Sequence, residues 1–109
     1  SKTGAQVKAD VIDRAMDLLL ERESYAYTAL WESFALNQRR FLVGLAVETP
    51  HVATFGSHFV QQYRLRSASN AQRAADALLK CDVIDRDDGS FLISDRFFKI
   101  WIQRTGLPA

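Results

Sequence analysis

Asp88-Gly89 constrains this chain more than any other pair of neighbours. Asp and Gly both tolerate the positive φ that the favoured two-residue hairpin turn needs. The pair stands between two short runs with strand character, Val83–Arg86 and Phe91–Ser94, so Asp87-Asp88-Gly89-Ser90 is expected to close a hairpin. Upstream, apolar residues recur at helical spacing, and only Val52–Phe55 reads as a further, very short strand. The fold is therefore expected to be mainly α with one small β-hairpin near its end.

The spacing predicts a first helix from Val7 to about Arg22. Val11, Ala15 and Leu18 repeat along one side, Ile12, Met16 and Leu19 lie beside them, and Asp10, Asp13, Arg14, Asp17 and Glu21 fill the rest. Glu23-Ser24 is expected to break it, with Ser24 capping a short helix from about Tyr25 to Ser33. A further helix runs from an Asn37 N-cap to about Val47, with Gln38, Phe41, Leu42, Leu45 and Ala46 as its inner stripe and Arg39-Arg40 outside; Thr49-Pro50 stops it. Ser57 to Tyr63 forms a short helix anchored by Phe59, Val60 and Tyr63, and Arg64-Leu65-Arg66 forms a turn. Ser67 or Ser69 then caps a helix reaching Cys81, with Ala71, Ala75, Leu78 and Leu79 inward and Asn70, Arg73, Asp76, Ala77 and Lys80 outward. After the hairpin, Ser94 or Asp95 caps a last helix, Arg96 to about Arg104. It packs through Phe97, Phe98, Trp101 and Ile102, and Gly106 and Pro108 stop it.

Helix, short strand or turn, helix, turn, helix, hairpin is the order of a winged helix-turn-helix, with the hairpin as the wing. A chain of 109 residues holds one such core. Residues 35–109 are expected to form it, and residues 1–34 to form one or two leading helices that connect to another domain or pair two chains. The first-helix stripe of Val11, Ile12, Ala15, Leu18 and Leu19 needs a surface to cover, either a neighbouring domain or a second copy.

Several function classes are disfavoured at once. Apolar residues make up 48% and charged residues 25%, a globular mixture that does not suit a disordered chain. No apolar run approaches the roughly 20 residues that cross a bilayer, and no signal-peptide core follows Ser1-Lys2-Thr3-Gly4-Ala5-Gln6, so no membrane partner is expected. Cys81 has no cysteine to pair with; it is expected to be a small buried hydrophobe in a reducing, cytoplasmic setting. His51 and His58 lack partners at ligand spacing, so no metal is expected. No constellation of nucleophile and base, and no phosphate-cradling Gly-x-x-x-x-Gly-Lys-Ser/Thr loop, is present; the chain is not expected to be an enzyme or to hold a cofactor.

The net charge of +1 hides a gradient: residues 36–81 carry six basic and two acidic side chains. Within them Arg64, Arg66, Ser67, Ser69, Asn70 and Arg73 are the DNA-contact candidates, at the start of the helix that would enter the major groove. Arg pairs bidentately with guanine, Asn with adenine, and Ser reaches phosphate. A purely structural reading accounts for the same residues as caps and solvated arginines. Asp76 on the outer face, and Asp85, Asp87 and Asp88 in the wing, oppose phosphate. Both readings stay open at this level.

Three stretches carry a resemblance: Trp31-Glu32-Ser33-Phe34-Ala35-Leu36-Asn37-Gln38-Arg39-Arg40-Phe41-Leu42-Val43-Gly44-Leu45-Ala46, Tyr63-Arg64-Leu65-Arg66-Ser67-Ala68-Ser69-Asn70-Ala71-Gln72-Arg73-Ala74, and Ser94-Asp95-Arg96-Phe97-Phe98-Lys99-Ile100-Trp101. Together they resemble the C-terminal winged-helix domain of bacterial and archaeal P-loop ATPases of the AAA+/STAND kind. Arg96 departs from the pattern, standing where that family usually has Pro; either residue suits a first helical turn. The resemblance implies a non-catalytic module of a longer chain, joined to an upstream ATPase domain that would hold ATP and magnesium. The leading helices would then be the end of the ATPase's helical lid. Ser1 in place of an initiator Met agrees with an internal piece. The alternative expectation is a free-standing winged-helix transcription regulator, dimerising through its first helices and reading DNA.

Overall fold

In the computed structural model, which describes residues 4–105, the chain begins with one helix, α1, spanning Gly4–Glu32. The break expected at Glu23-Ser24 does not occur. Neither residue forbids helix, and a Ser in a helix interior costs only about 0.5 kcal/mol. The residues on both sides of it also face one partner: Leu20 and Trp31 are buried, and Met16 and Tyr27 pack on the same core. At 1.5 Å per residue α1 is about 43 Å long. It accounts for most of the 53 Å long axis of a molecule 26 and 24 Å across.

The second helix, α2 (Leu36–Val47), starts from Ala35 and not from the expected Asn37. Gln38 makes that start possible: the Ala35 N–H donates to Gln38 Oε1 at 3.0 Å, the half of a capping box supplied by the third helical residue. Arg39, expected outside, reaches back. Its Nε donates to the Trp31 carbonyl and its Nη2 to the Glu32 carbonyl, both at 3.0 Å, closing the C-terminus of α1.

Val52–Phe55 is not a strand. The segment turns on itself, Gly56 N–H donating to the Ala53 carbonyl at 3.1 Å, and meets the hairpin only through side chains, Phe55 lying 5.8 Å from Phe91. A short helix, α3 (Ser57–Gln62), follows and ends in a Schellman motif. There the Leu65 N–H donates to the Val60 carbonyl at 2.9 Å and the Arg64 N–H to the Gln61 carbonyl at 3.3 Å. Leu65 is completely buried beneath this turn.

Ser67, not Ser69, caps α4 (Ala68–Lys80), its Oγ accepting the Asn70 N–H at 3.1 Å. Ala71, Ala74, Ala75 and Leu78 form the buried face. The helix ends in a second Schellman motif: Asp82 has φ 61°, and the Val83 N–H donates to the Leu78 carbonyl at 3.0 Å. Cys81 is the C-cap and is exposed, against the expectation of burial. The chain leaves the helix at Cys81, and Ile84 takes the inner place that a continued helix would have offered.

Two strands, β1 (Ile84–Asp87) and β2 (Ser90–Ile93), pair antiparallel with Ile84 opposite Ile93 and Asp87 opposite Ser90. Asp88 (φ 52°) and Gly89 (φ 84°) make the two-residue turn, as the sequence predicts. Asp95, not Ser94, caps the last helix, α5 (Arg96–Thr105), accepting the Phe97 and Phe98 N–H groups on Oδ1. Phe98, Trp101 and Ile102 are buried, whereas Phe97 is exposed. Gly106 and Pro108, expected to stop α5, lie outside the described residues. The centre of the core is Phe41, fully buried, its ring 5.7 Å from Phe59 and 6.0 Å from Phe91.

Candidate nucleic-acid interface

The turn between α3 and α4 sets the geometry of the predicted contacts. Arg64 (φ 56°) and Arg66 (φ 75°) both adopt left-handed backbone, on either side of buried Leu65. That conformation costs an L-residue about 1 kcal/mol or more, and glycine usually takes it. The two arginine side chains are exposed and line one depression with Val60, Gln61 and Arg40. Arg40 comes from α2, twenty-four residues before Arg64, and its Nη1 donates to the Arg64 carbonyl at 3.1 Å. Sequence reading missed Arg40, because nothing in local spacing links a residue of α2 to the far end of α3.

The other candidates behave differently. Asn70 and Arg73 line a second depression with Ala35, Asn37, Gln38 and Ala74. They are paired to each other: Arg73 Nη2 donates to Asn70 Oδ1 at 2.6 Å. That bond uses one of the two acceptor positions on the oxygen with which an Asn accepts from adenine. Ser67 is committed as the helix cap. Ser69 is exposed in the first turn of α4. The six residues thus fall into an arginine depression, a self-satisfied Asn–Arg pair and two serines, of which one is structural.

The wing is unlike a phosphate-binding wing. Asp87 and Asp88 are exposed at its tip, and Asp85 accepts from Ser94 Oγ at 2.8 Å. Arg86, its one basic residue, lies 5.5 Å from the centroid of the Phe91 ring and is held against the hairpin by that contact. Asp76 is exposed on α4. Carboxylates at these positions repel a nucleic-acid backbone.

The histidines have single partners. His51 Nδ1 lies 3.2 Å from Ser90 Oγ, and His58 Nε2 lies 3.7 Å from Glu48 Oε1. Burial, and then the nearby Glu48, raise the Tyr63 phenol above its ordinary value. Among the described residues no three His, Cys, Asp or Glu gather as metal ligands, and no helix is long and apolar enough to cross a membrane.

One other surface stands out. The first half of α1 extends beyond the body, leaving Val11 62%, Ile12 63% and Leu18 60% exposed. Val7, Val11, Ala15 and Leu18 line a shallow apolar strip edged by Asp10 and Arg14. Among the described residues nothing covers it.

A family model described as a probable winged helix domain matches residues 25–104. No curated protein and no solved structure matches the chain. The match begins at Tyr25, inside α1, so the uncovered strip lies ahead of it.

Proposed function

The chain belongs to the probable winged helix domain family, and from that premise we propose that it is a non-catalytic winged-helix module of a larger P-loop ATPase of the AAA+/STAND kind, docked to its neighbouring domain through α1. The uncovered apolar strip of α1 carries this reading. Isolated apolar residues are normal on a surface, but a continuous strip along one projecting helix is costly in water and fits a protein contact. The three stretches that resemble the ATPase winged-helix domains support the choice of parent, which would itself bind ATP and magnesium. The residues encoded ahead of Ser1 test it. A Gly-x-x-x-x-Gly-Lys-Ser/Thr segment followed by a helical lid is the expected result; an initiator Met at that point overturns the reading and leaves a free-standing regulator. In the longer protein, Leu18→Glu should loosen the module, seen as faster amide exchange in α1, with no change in the fold of residues 35–105. In the chain by itself, a concentration-dependent dimer abolished by Leu18→Glu would assign the strip to a second copy.

A second reading, nucleic-acid binding, is favoured by one observation: Arg64 and Arg66 stand exposed beside Arg40 at the entry to α4. It calls for contact through the turn and the start of α4, with the acidic wing turned away. Binding to duplex DNA at low salt, falling steeply as salt rises, is its expected signature.

A further inference from the structure

We infer that the notch between α2 and α3 holds one phosphate group of a nucleic-acid backbone, with Arg40, Arg64 and Arg66 as its ligands. The inference rests on the nucleic-acid reading and adds to it a direct ligand role for Arg40 and a single backbone phosphate as the bound group.

Charge is the first argument. Three arginines line one depression whose other walls are Val60 and Gln61, and no Asp or Glu lines it. Among the described residues none of the three arginines forms an ion pair. Gathering like charges without a counter-ion is unfavourable, and an anion in the notch reverses the sign of that interaction. A phosphate offers three or four oxygens to the planar forks of arginine, a geometry arginine matches better than lysine does.

Preorganisation is the second. Arg40 is tethered through Nη1 to the Arg64 carbonyl, so its guanidinium loses little freedom when a ligand arrives. Its Nε is buried without an acceptor, which leaves the group incompletely satisfied. Arg64 and Arg66 depart from backbone fixed by the Schellman turn and by buried Leu65. Left-handed positions favour Gly or Asn, yet this chain has Arg at both, and strained backbone held by its surroundings is a mark of functional sites.

The place in the fold selects the source of the phosphate. The notch precedes α4 directly, and exposed Ser69 lies in the first turn of that helix. A duplex whose groove receives the start of α4 brings its backbone alongside this turn.

Binding of the chain to mixed-sequence duplex DNA across salt concentrations tests the inference. Because one phosphate is shared, Arg64→Gln and Arg66→Gln combined should flatten the slope of log Kobs against log salt by about one, and each alone by less, with similar loss on every sequence. Both variants spare the Arg40 tether, which uses the backbone carbonyl of Arg64. Titration with inorganic phosphate, read on the Arg40 Nε–H resonance, should give a saturable shift that the double variant loses. Wild-type slope in the double variant overturns the notch while leaving the nucleic-acid reading intact. Absence of duplex binding at low salt overturns that reading and the backbone assignment with it. A polyglutamate peptide that moves the Arg40 resonance where duplex does not overturns the proposal in favour of an acidic protein partner.

Discussion

The Tyr27 hydroxyl donates to Asp95 Oδ2 at 3.1 Å, joining α1 to the start of α5 across 68 residues of sequence. The other oxygen of the same carboxylate accepts the Phe97 N–H at 2.9 Å and the Phe98 N–H at 3.2 Å. One side chain therefore caps α5 and anchors α1. The Tyr27 ring adds to this joint, 5.2 Å from Phe98 and 5.8 Å from Trp101, and Trp31 meets Trp101 at 6.3 Å. The C-terminal half of α1 and the last helix are thus fastened to each other.

Tyr27→Phe removes the hydroxyl and keeps the ring, and should cost about 0.5–1.5 kcal/mol in denaturant unfolding. Asp95→Ala should cost more, since a lost N-cap adds about 1 kcal/mol. Tyr27→Phe made in the Asp95→Ala background should be nearly neutral. If the two losses simply add, the hydrogen bond does not couple them.

The same pair gives alkaline pH a readable effect. Burial, then the hydrogen bond and charge of Asp95, then Glu23, push the Tyr27 phenol from 10.0 up to about 12. The folded state therefore keeps this proton after the unfolded chain has lost it. The resulting stability is fully present below pH 10 and is lost as pH rises through 12. The difference in stability between the chain and Tyr27→Phe should shrink across that window; Tyr63, raised in the same direction, contributes equally to both and cancels.

Gly44 should not tolerate a methyl group. A Cβ there would overlap the Phe59 ring and lie 2.9 Å from Tyr63 Cδ2. Phe59 cannot retreat, being almost completely buried between Phe41 at 5.7 Å and Tyr63 at 4.8 Å. Gly44→Ala should cost about 1–3 kcal/mol from overpacking, even though Ala is intrinsically the better helix former by about 1 kcal/mol. A urea midpoint equal to or above that of the parent chain would mean the α2–α3 contact is looser than this.

Asp82→Gly should stabilise the chain, by up to about 1 kcal/mol, because Gly takes the left-handed position of the α4 Schellman motif without the Cβ penalty. Thermal unfolding checks the sign.

Leu18 and Leu20 are two residues apart on α1, and they should respond unequally. Leu18 is 60% exposed and Leu20 6%. Leu18→Ala should change stability by no more than about 0.5 kcal/mol, whereas Leu20→Ala should cost about 2 kcal/mol or more through lost packing on α5. Equal effects would show that the strip around Leu18 is already covered in solution.

Much of the fold was legible because its signals are local. The Asp88-Gly89 turn and the Ala71–Ala75–Leu78 face depend on residues within a few positions of one another and appear as predicted, and of the two serines offered as the α4 cap Ser67 is the one used. The misreadings share one cause. Glu23-Ser24 continues as helix because both its flanks pack on α5; Ala35 replaces Asn37 as cap because Gln38 reaches back; Val52–Phe55 curls because no strand partners it. Cys81 is exposed because the chain turns away before that position becomes an inner face.

The amino-acid sequence by itself determined the order of helices, the single hairpin and the basic middle segment. Propensity, capping and periodicity act over one or two turns of chain, and a linear reading captures them. Tertiary structure alone decided which of the arginines stand together. It set Arg39 on the end of α1, held Arg40 beside Arg64 and Arg66, and paired Arg73 with Asn70. It also decided which apolar residues of α1 are core and which are left in water, since that depends on how far α5 reaches along the helix. Helical periodicity marks the apolar positions of α1; only the packed fold determines which of them are covered.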